Sequence, residues 1–356
     1  MSTLNTQLDL SACPSPKWLP DGQSQTIFAA RFVPRPKIVY ARERITTTDN
    51  DFIDIDWNIP GLHPLAPDND RPAAPTVFQQ EPLTPPPLPG TQPALILFHG
   101  LEGSSQSHYA RAICHYFRQK NWVVAVAHFR GCSGEPNKLP RSYFSGDSAD
   151  IDTIFHHVRQ RLPNARWHAC GISMGGNALL KYTGEQQESL GWLQAVAGIS
   201  VPLDLLATGQ QLETGFFGRF VYTPHFLQTM KKKIREKDRQ FPNAINIHKI
   251  LQAKTLFDFD DAYTGPVHGF KGALDYWTRC SSKPFLKDIR IPALVLNARN
   301  DPFIPETSLP GIKDVSTYVT LHQPKTGGHA GFSTGPFPSS FEWLPHRLEK
   351  FFCQGC

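Results

Sequence analysis

Three side chains set far apart in this sequence could together open an acyl bond: Ser173 in Gly171-Ile172-Ser173-Met174-Gly175, Asp301 in Ala298-Arg299-Asn300-Asp301-Pro302, and His329 in Gly327-Gly328-His329-Ala330-Gly331-Phe332. A serine hydroxyl is a weak nucleophile until a base takes its proton, and an imidazole does so best when a carboxylate fixes its tautomer. The glycines two before and two after Ser173 suit a sharp strand-to-helix turn, whose backbone angle would bring larger side chains into collision. The chain order is nucleophile, acid, base. Chymotrypsin-like and subtilisin-like proteins use other orders. Asp204, one strand earlier, is the competing acid; Asp301 is preferred.

A second requirement of such chemistry is a place for negative charge on the attacked oxygen. The apolar run Ala94-Leu95-Ile96-Leu97-Phe98 ends in His99-Gly100-Leu101-Glu102-Gly103-Ser104-Ser105, a buried strand feeding a glycine-containing loop. The backbone N–H of Leu101 and that of Met174, just after the nucleophile, are the expected oxyanion donors. His99 reads as a loop-shaping residue, not as a base.

These groups need a rigid frame. Segments 38–47 and 52–58 read as an opening strand pair, and 94–98 as the first core strand. Helix 109–120, strand 123–127, helix 148–161, strand 167–171, helix 174–183 and strand 193–200 then alternate, which implies a mostly parallel sheet flanked by helices. Strands at 291–297 and 317–321 and a closing helix at 341–352 complete an α/β-hydrolase fold, taken as a single domain over residues 1–356. Two insertions interrupt it. Residues 60–93 are dense in proline and read as a surface insertion, while 201–284 is helical and aromatic-rich and reads as a lid offering an acyl pocket.

Five strings resemble the YheT-like branch of the α/β-hydrolases: His99 to Gly103, His128-Phe129-Arg130-Gly131-Cys132-Ser133-Gly134-Glu135-Pro136-Asn137, Gly171 to Asn177, Asp301-Pro302-Phe303, and Gly327 to Phe332. The resemblance spans most of the chain. It implies carboxylester chemistry on acyl chains, since that branch is similar to medium-chain ester synthase/esterases and to acylglycerol lipases and phospholipases. Two positions depart from it: Gln23-Ser24-Gln25-Thr26 stands where relatives commonly have His-x-Gln-Thr, and Asn300 stands where they often have Asp. The expected activity is serine-dependent cleavage of short- to medium-chain acyl esters. Acyl transfer to an alcohol, or a catalytically silent ligand-binding protein on the same fold, are the alternatives.

Composition narrows the partners. With 356 residues and a net charge of +5, the chain can bury a large core and carries no strong bias toward nucleic acid. The basic stretch Lys231-Lys232-Lys233-Ile234-Arg235-Glu236-Lys237-Asp238-Arg239 reads as a solvated helix face, with contact to a membrane or lipid surface as the second reading. No P-loop, dinucleotide fingerprint or His-Glu-x-x-His occurs among the 14 histidines, so no cofactor and no metal is expected. Seven cysteines at irregular spacings read as reduced thiols, including Cys353-Gln354-Gly355-Cys356. Without a secretory leader or a span of about 20 apolar residues, the sequence predicts a cytoplasmic enzyme acting on a small acyl ester.

Overall fold

The computed structural model describes residues 7–61 and 91–353, so most of the proline-rich segment read at 60–93 lies outside the described residues. Among the described residues nine strands form one sheet: β1 (Leu8–Asp9), β2 (Ala41–Thr46), β3 (Phe52–Asn58), β4 (Pro93–Phe98), β5 (Val123–Ala127), β6 (Arg166–Ile172), β7 (Leu193–Ile199), β8 (Ala293–Leu296) and β9 (Val319–His322). Their spatial order is β1-β9-β8-β7-β6-β4-β5-β3-β2, and only β3 runs against its neighbours. The chain passes from β4 to β5 on one side and then returns to place β6 on the other. That reversal opens a crevice beyond the C-terminal ends of β4 and β6, where ligands bind in open sheets of this kind.

Strand alternation splits the core cleanly. Ala94, Ile96 and Phe98 face one layer with Ala125, Ala169, Val196 and Val295, whereas Leu95 and Leu97 face the other with Val124, Val126, Cys170, Ala197 and Leu294. Both faces are covered, as parallel sheets require. One layer carries α3 (Ser148–Arg161) and α4 (Met174–Gln186); the other carries α2 (His108–Gln119) and α11 (Trp343–Phe352). In α2 the buried set Tyr109, Ala110, Ile113, Cys114 and Phe117 follows helical spacing. By contrast α4 is buried from Met174 to Gly184, because β6 and β7 pack on it from one side and α3 from another.

Between β7 and β8 lies a helical block of α5 (Leu205–Thr214), α6 (Thr223–Gln240), α7 (Ile247–Gln252), α8 (Leu256–Phe259), α9 (Gly265–Val267) and α10 (Ala273–Cys280). It has its own small core of Leu227, Ile234, Ile250, Phe259 and Tyr263. Asn177 at the start of α4 fastens the block's end to the sheet: its Nδ2 donates to Ser145 O and Cys280 O, and its Oδ1 accepts from Ser282 N.

Two N-terminal elements were not expected. β1 is two residues long and pairs with β9 at the sheet edge, and α1 (Gly22–Arg31) buries Gly22, Gln25, Thr26 and Ala29, a face too polar to register as amphipathic. The closing helix starts at Trp343 and not at 341, since Phe341 packs separately with Ala29, Val33 and Ala112. Among the described residues, six cysteines are free and no helix is long and apolar enough to cross a membrane.

Candidate active site

Ser173 sits between β6 and α4 with φ 53° and ψ −122°, a conformation that a side chain adopts only where the surroundings enforce it. The enforcement is steric and hydrogen-bonded. A Cβ at Gly171 would lie 2.5 Å from Gly175 O, and one at Gly175 would lie 2.4 Å from His99 O. Ser173 N donates to Ile199 O at 2.8 Å, so the turn stays stitched to β7.

The three separated side chains meet here. His329 Nδ1 lies 2.8 Å from Asp301 Oδ2, and His329 Nε2 lies 2.9 Å from Ser173 Oγ. A carboxylate only accepts, so Nδ1 carries the proton and Nε2 is left to accept from the serine hydroxyl. Asp301 is held in turn, with Oδ1 accepting from Phe303 N at 2.8 Å and Ile304 N at 3.3 Å. Asp204 is elsewhere: it caps α5, accepting from Ala207 N at 3.0 Å. The Phe303 ring stacks on the imidazole at 4.1 Å between centroids, covering one face of His329.

Leu101 and Met174 line the same cavity as Ser173 and His329. Among the described residues no carbonyl accepts from either N–H, and Met174 opens α4, whose N-terminal end favours negative charge. His99 supports the loop from beneath. Its Nδ1 donates to Gly100 O at 2.8 Å, while Phe129 N donates to Nε2 at 3.1 Å, which fixes one neutral tautomer. Burial, reinforced by nearby His128, pushes its pKa down to about 3. Gly100 N donates to the Tyr109 hydroxyl at 2.9 Å, pinning the loop a second time.

Sequence reasoning missed the residues that carry the histidine loop. Thr26 Oγ1 accepts from His329 N at 2.8 Å and donates to Gly22 O, while Gln25 Oε1 accepts from Gly327 N at 2.8 Å and from Asn300 Nδ2 at 3.0 Å. Asn300 Oδ1 closes the circuit by accepting from Gly328 N, a residue at φ 64° where glycine is at ease. Of the two departing positions, Asn300 therefore falls on the scaffold of His329, together with Gln25 and Thr26, which keep the Gln-Thr of that pattern. Gln23 itself accepts from the Tyr222 hydroxyl at 2.6 Å, tying α1 to the helical block.

The string from His128 to Asn137 serves the frame. Arg130 is paired with Asp150 at 2.7 Å and with Asp51 at 3.2 Å, and Asn137 Nδ2 donates to Asp51 at 2.9 Å. His128 Nε2 meets Asp56 at 2.9 Å; against the pull of burial, hydrogen bonds from Arg42 and His128 hold that carboxyl well below the usual carboxylate range.

Above Ser173 lies a cavity of about 140 Å³, walled from the helical block by Leu205, Leu212, Phe226, Met230, Leu256 and Trp277. Glu102 and Lys233 border it. Lys233 Nζ is 2.8 Å from Glu102 Oε1, Tyr143 Oη donates to the same oxygen at 2.7 Å, and Glu102 N donates to Tyr143 Oη at 2.9 Å. Among the described residues this is the one ion pair between the block and the rest of the chain. It ends on the residue next to Leu101.

A sequence profile of the alpha/beta hydrolase fold matches residues 93–336. The Escherichia coli (strain K12) protein named "Putative esterase YheT" is 30% identical over 326 residues, covering 91% of this chain and 88% of its own. The phospholipase ABHD3 of Homo sapiens is 28% identical over 336 residues, covering 94% of this chain and 76% of its own. Among solved structures, Est1E from Butyrivibrio proteoclasticus, determined with ferulic acid bound, shares the fold at TM-score 0.51 and 13% identity over 87% of this chain and 97% of its own.

Proposed function

The chain belongs to the alpha/beta hydrolase fold family, and we propose that this carboxylic ester hydrolase works through Ser173, His329 and Asp301 by way of an acyl-enzyme. The carrying observation is the bridge of His329 between Asp301 Oδ2 at 2.8 Å and Ser173 Oγ at 2.9 Å. In acylation Ser173 Oγ bonds to the ester carbonyl carbon as its proton passes to His329 Nε2. The carbonyl π electrons move to oxygen, and the N–H groups of Leu101 and Met174 receive that charge. Collapse breaks the bond to the alcohol, which leaves with the proton from Nε2. A water molecule then repeats the sequence, releasing the acid and restoring Ser173. Throughout, Asp301 holds the Nδ1–H tautomer and offsets the positive charge of the ring.

Residues 201–284 act as the lid, and the apolar side chains it turns toward Ser173, namely Leu205, Leu212, Phe226, Met230, Leu256 and Trp277, form the acyl site. Each buried methylene gains about 0.8 kcal/mol, roughly fourfold in kcat/KM, until the cavity is full. Turnover of p-nitrophenyl acetate, butyrate, octanoate and palmitate, measured below any micelle threshold, is expected to peak at butyrate or octanoate. A flat profile, or preference for acetate, would remove the acyl pocket and leave the serine chemistry standing.

The Lys233–Glu102 pair makes the lid part of the oxyanion loop's support. Removing a whole oxyanion donor costs about 10²- to 10³-fold in kcat; loosening one costs less. Lys233→Met is therefore expected to lower kcat on p-nitrophenyl butyrate about tenfold with KM little changed, and Lys233→Arg to recover most of it. An unchanged kcat in Lys233→Met would show that the loop holds its shape without α6.

A further inference from the structure

The cations of α6 divide into two sets. Lys231, Lys233 and Lys237 turn inward, donating to Ala253 O, Glu102 and Leu139 O. Lys232, Arg235 and Arg239 are exposed, and among the described residues none of them is in an ion pair. They lie on the exposed face at spacings of three and four, continuing back through Gln228 and His225 toward Val221. At that N-terminal end the face becomes apolar: Phe216 is 70% exposed, Phe217 37%, Phe220 60% and Val221 41%. The rings pack on one another at 5.2 to 5.7 Å, and the Arg219 guanidinium lies 5.4 Å from the Phe220 ring.

This apolar knob is two rings removed from His329, since Phe217 lies 6.5 Å between centroids from Tyr222. Tyr222 and Phe226 turn inward from the same helix onto Phe303, whose ring covers His329. Nothing in the described chain covers the outer rings, and a contiguous apolar patch at this density marks a contact surface.

We infer that residues 216–239 form a docking face for an anionic lipid surface, with Phe216, Phe217, Phe220 and Val221 entering the acyl boundary and Arg219, Lys232, Arg235 and Arg239 meeting the headgroup phosphates. The charge pattern selects this occupant. A second copy docking through a twofold axis sets the same patch against itself, which offers its four cations either the other copy's four or the other copy's apolar knob, with Glu236 as the one exposed acid of that face. An anionic bilayer offers an apolar layer and a negative layer side by side, in the arrangement the face requires. The inference goes beyond ester cleavage and is tested independently of it.

The experiment is co-sedimentation of the full chain with vesicles of phosphatidylcholine alone or mixed equally with phosphatidylglycerol. Binding to the mixed vesicles is expected to be at least roughly tenfold tighter and to weaken in 0.5 M NaCl. Phe216→Ser/Phe220→Ser should lose binding to both vesicles, whereas Lys232→Glu/Arg235→Glu should lose the preference for the anionic ones. Both double variants should keep wild-type turnover of p-nitrophenyl butyrate, which shows that they fold. Three results overturn the inference: no vesicle binding by the wild type, binding that ignores both charge and the aromatic substitutions, or a concentration-dependent dimer that Phe216→Ser/Phe220→Ser dissolves.

Discussion

Ser173→Ala is expected to lower kcat for p-nitrophenyl butyrate by about 10⁶-fold, because loss of the nucleophile alone removes nearly all that such a triad supplies. Residual rate would come from binding and from the oxyanion donors. The substitution keeps the Cβ that already occupies φ 53° and deletes only an oxygen that faces the cavity. Thermal unfolding should therefore match the wild type closely. Retention of a substantial part of the wild-type rate would move the nucleophile to another side chain.

A second large effect should come from Asp301→Asn, at about 10⁴-fold in kcat. The direction follows from the hydrogen bonds. Oδ1 of residue 301 accepts from Phe303 N and Ile304 N, so an asparagine would leave its carbonyl oxygen there and turn its NH₂ toward His329 Nδ1. The imidazole would then accept at Nδ1 and carry its proton at Nε2, where it could no longer take the proton of Ser173. Asp204→Asn is the control: asparagine caps a helix as well as aspartate does, so α5 and the rate should both persist. The reverse ranking would place the orienting acid at residue 204.

The alternation of short apolar runs with helical spacings carried the sheet in the sequence, because each run is a buried strand whose side chains must satisfy two layers. That Ser173 and His329 come together was legible for a related reason: the backbone conformation of the elbow and the looped approach of His329 demand glycines that stand out from their surroundings, whereas Asp301 was placed by the buried strand before it and by the chain order. The scaffold of the histidine loop was not legible. Thr26 and Gln25 act through hydroxyl and amide groups on a helix whose buried face is polar, so no apolar period announces it, and their partners Gly327, His329 and Asn300 are about 300 positions away. β1 was hidden for the opposite reason, since two residues added to an edge leave no pattern. The basic stretch at 231–239 was visible as composition alone. Its division into inward ties and an outward row appears only when α6 is seated against Glu102 in the loop that follows β4.

Mass spectrometry of the folded protein after treatment with a fluorophosphonate probe tests the central claim most directly, because the reagent bonds covalently only to a serine whose proton a neighbouring base removes. The wild type is expected to carry one phosphonyl group, on the peptide containing Ser173, and Ser173→Ala to carry none. A folded wild type that stays unlabelled, or a label that persists elsewhere in Ser173→Ala, would contradict the account.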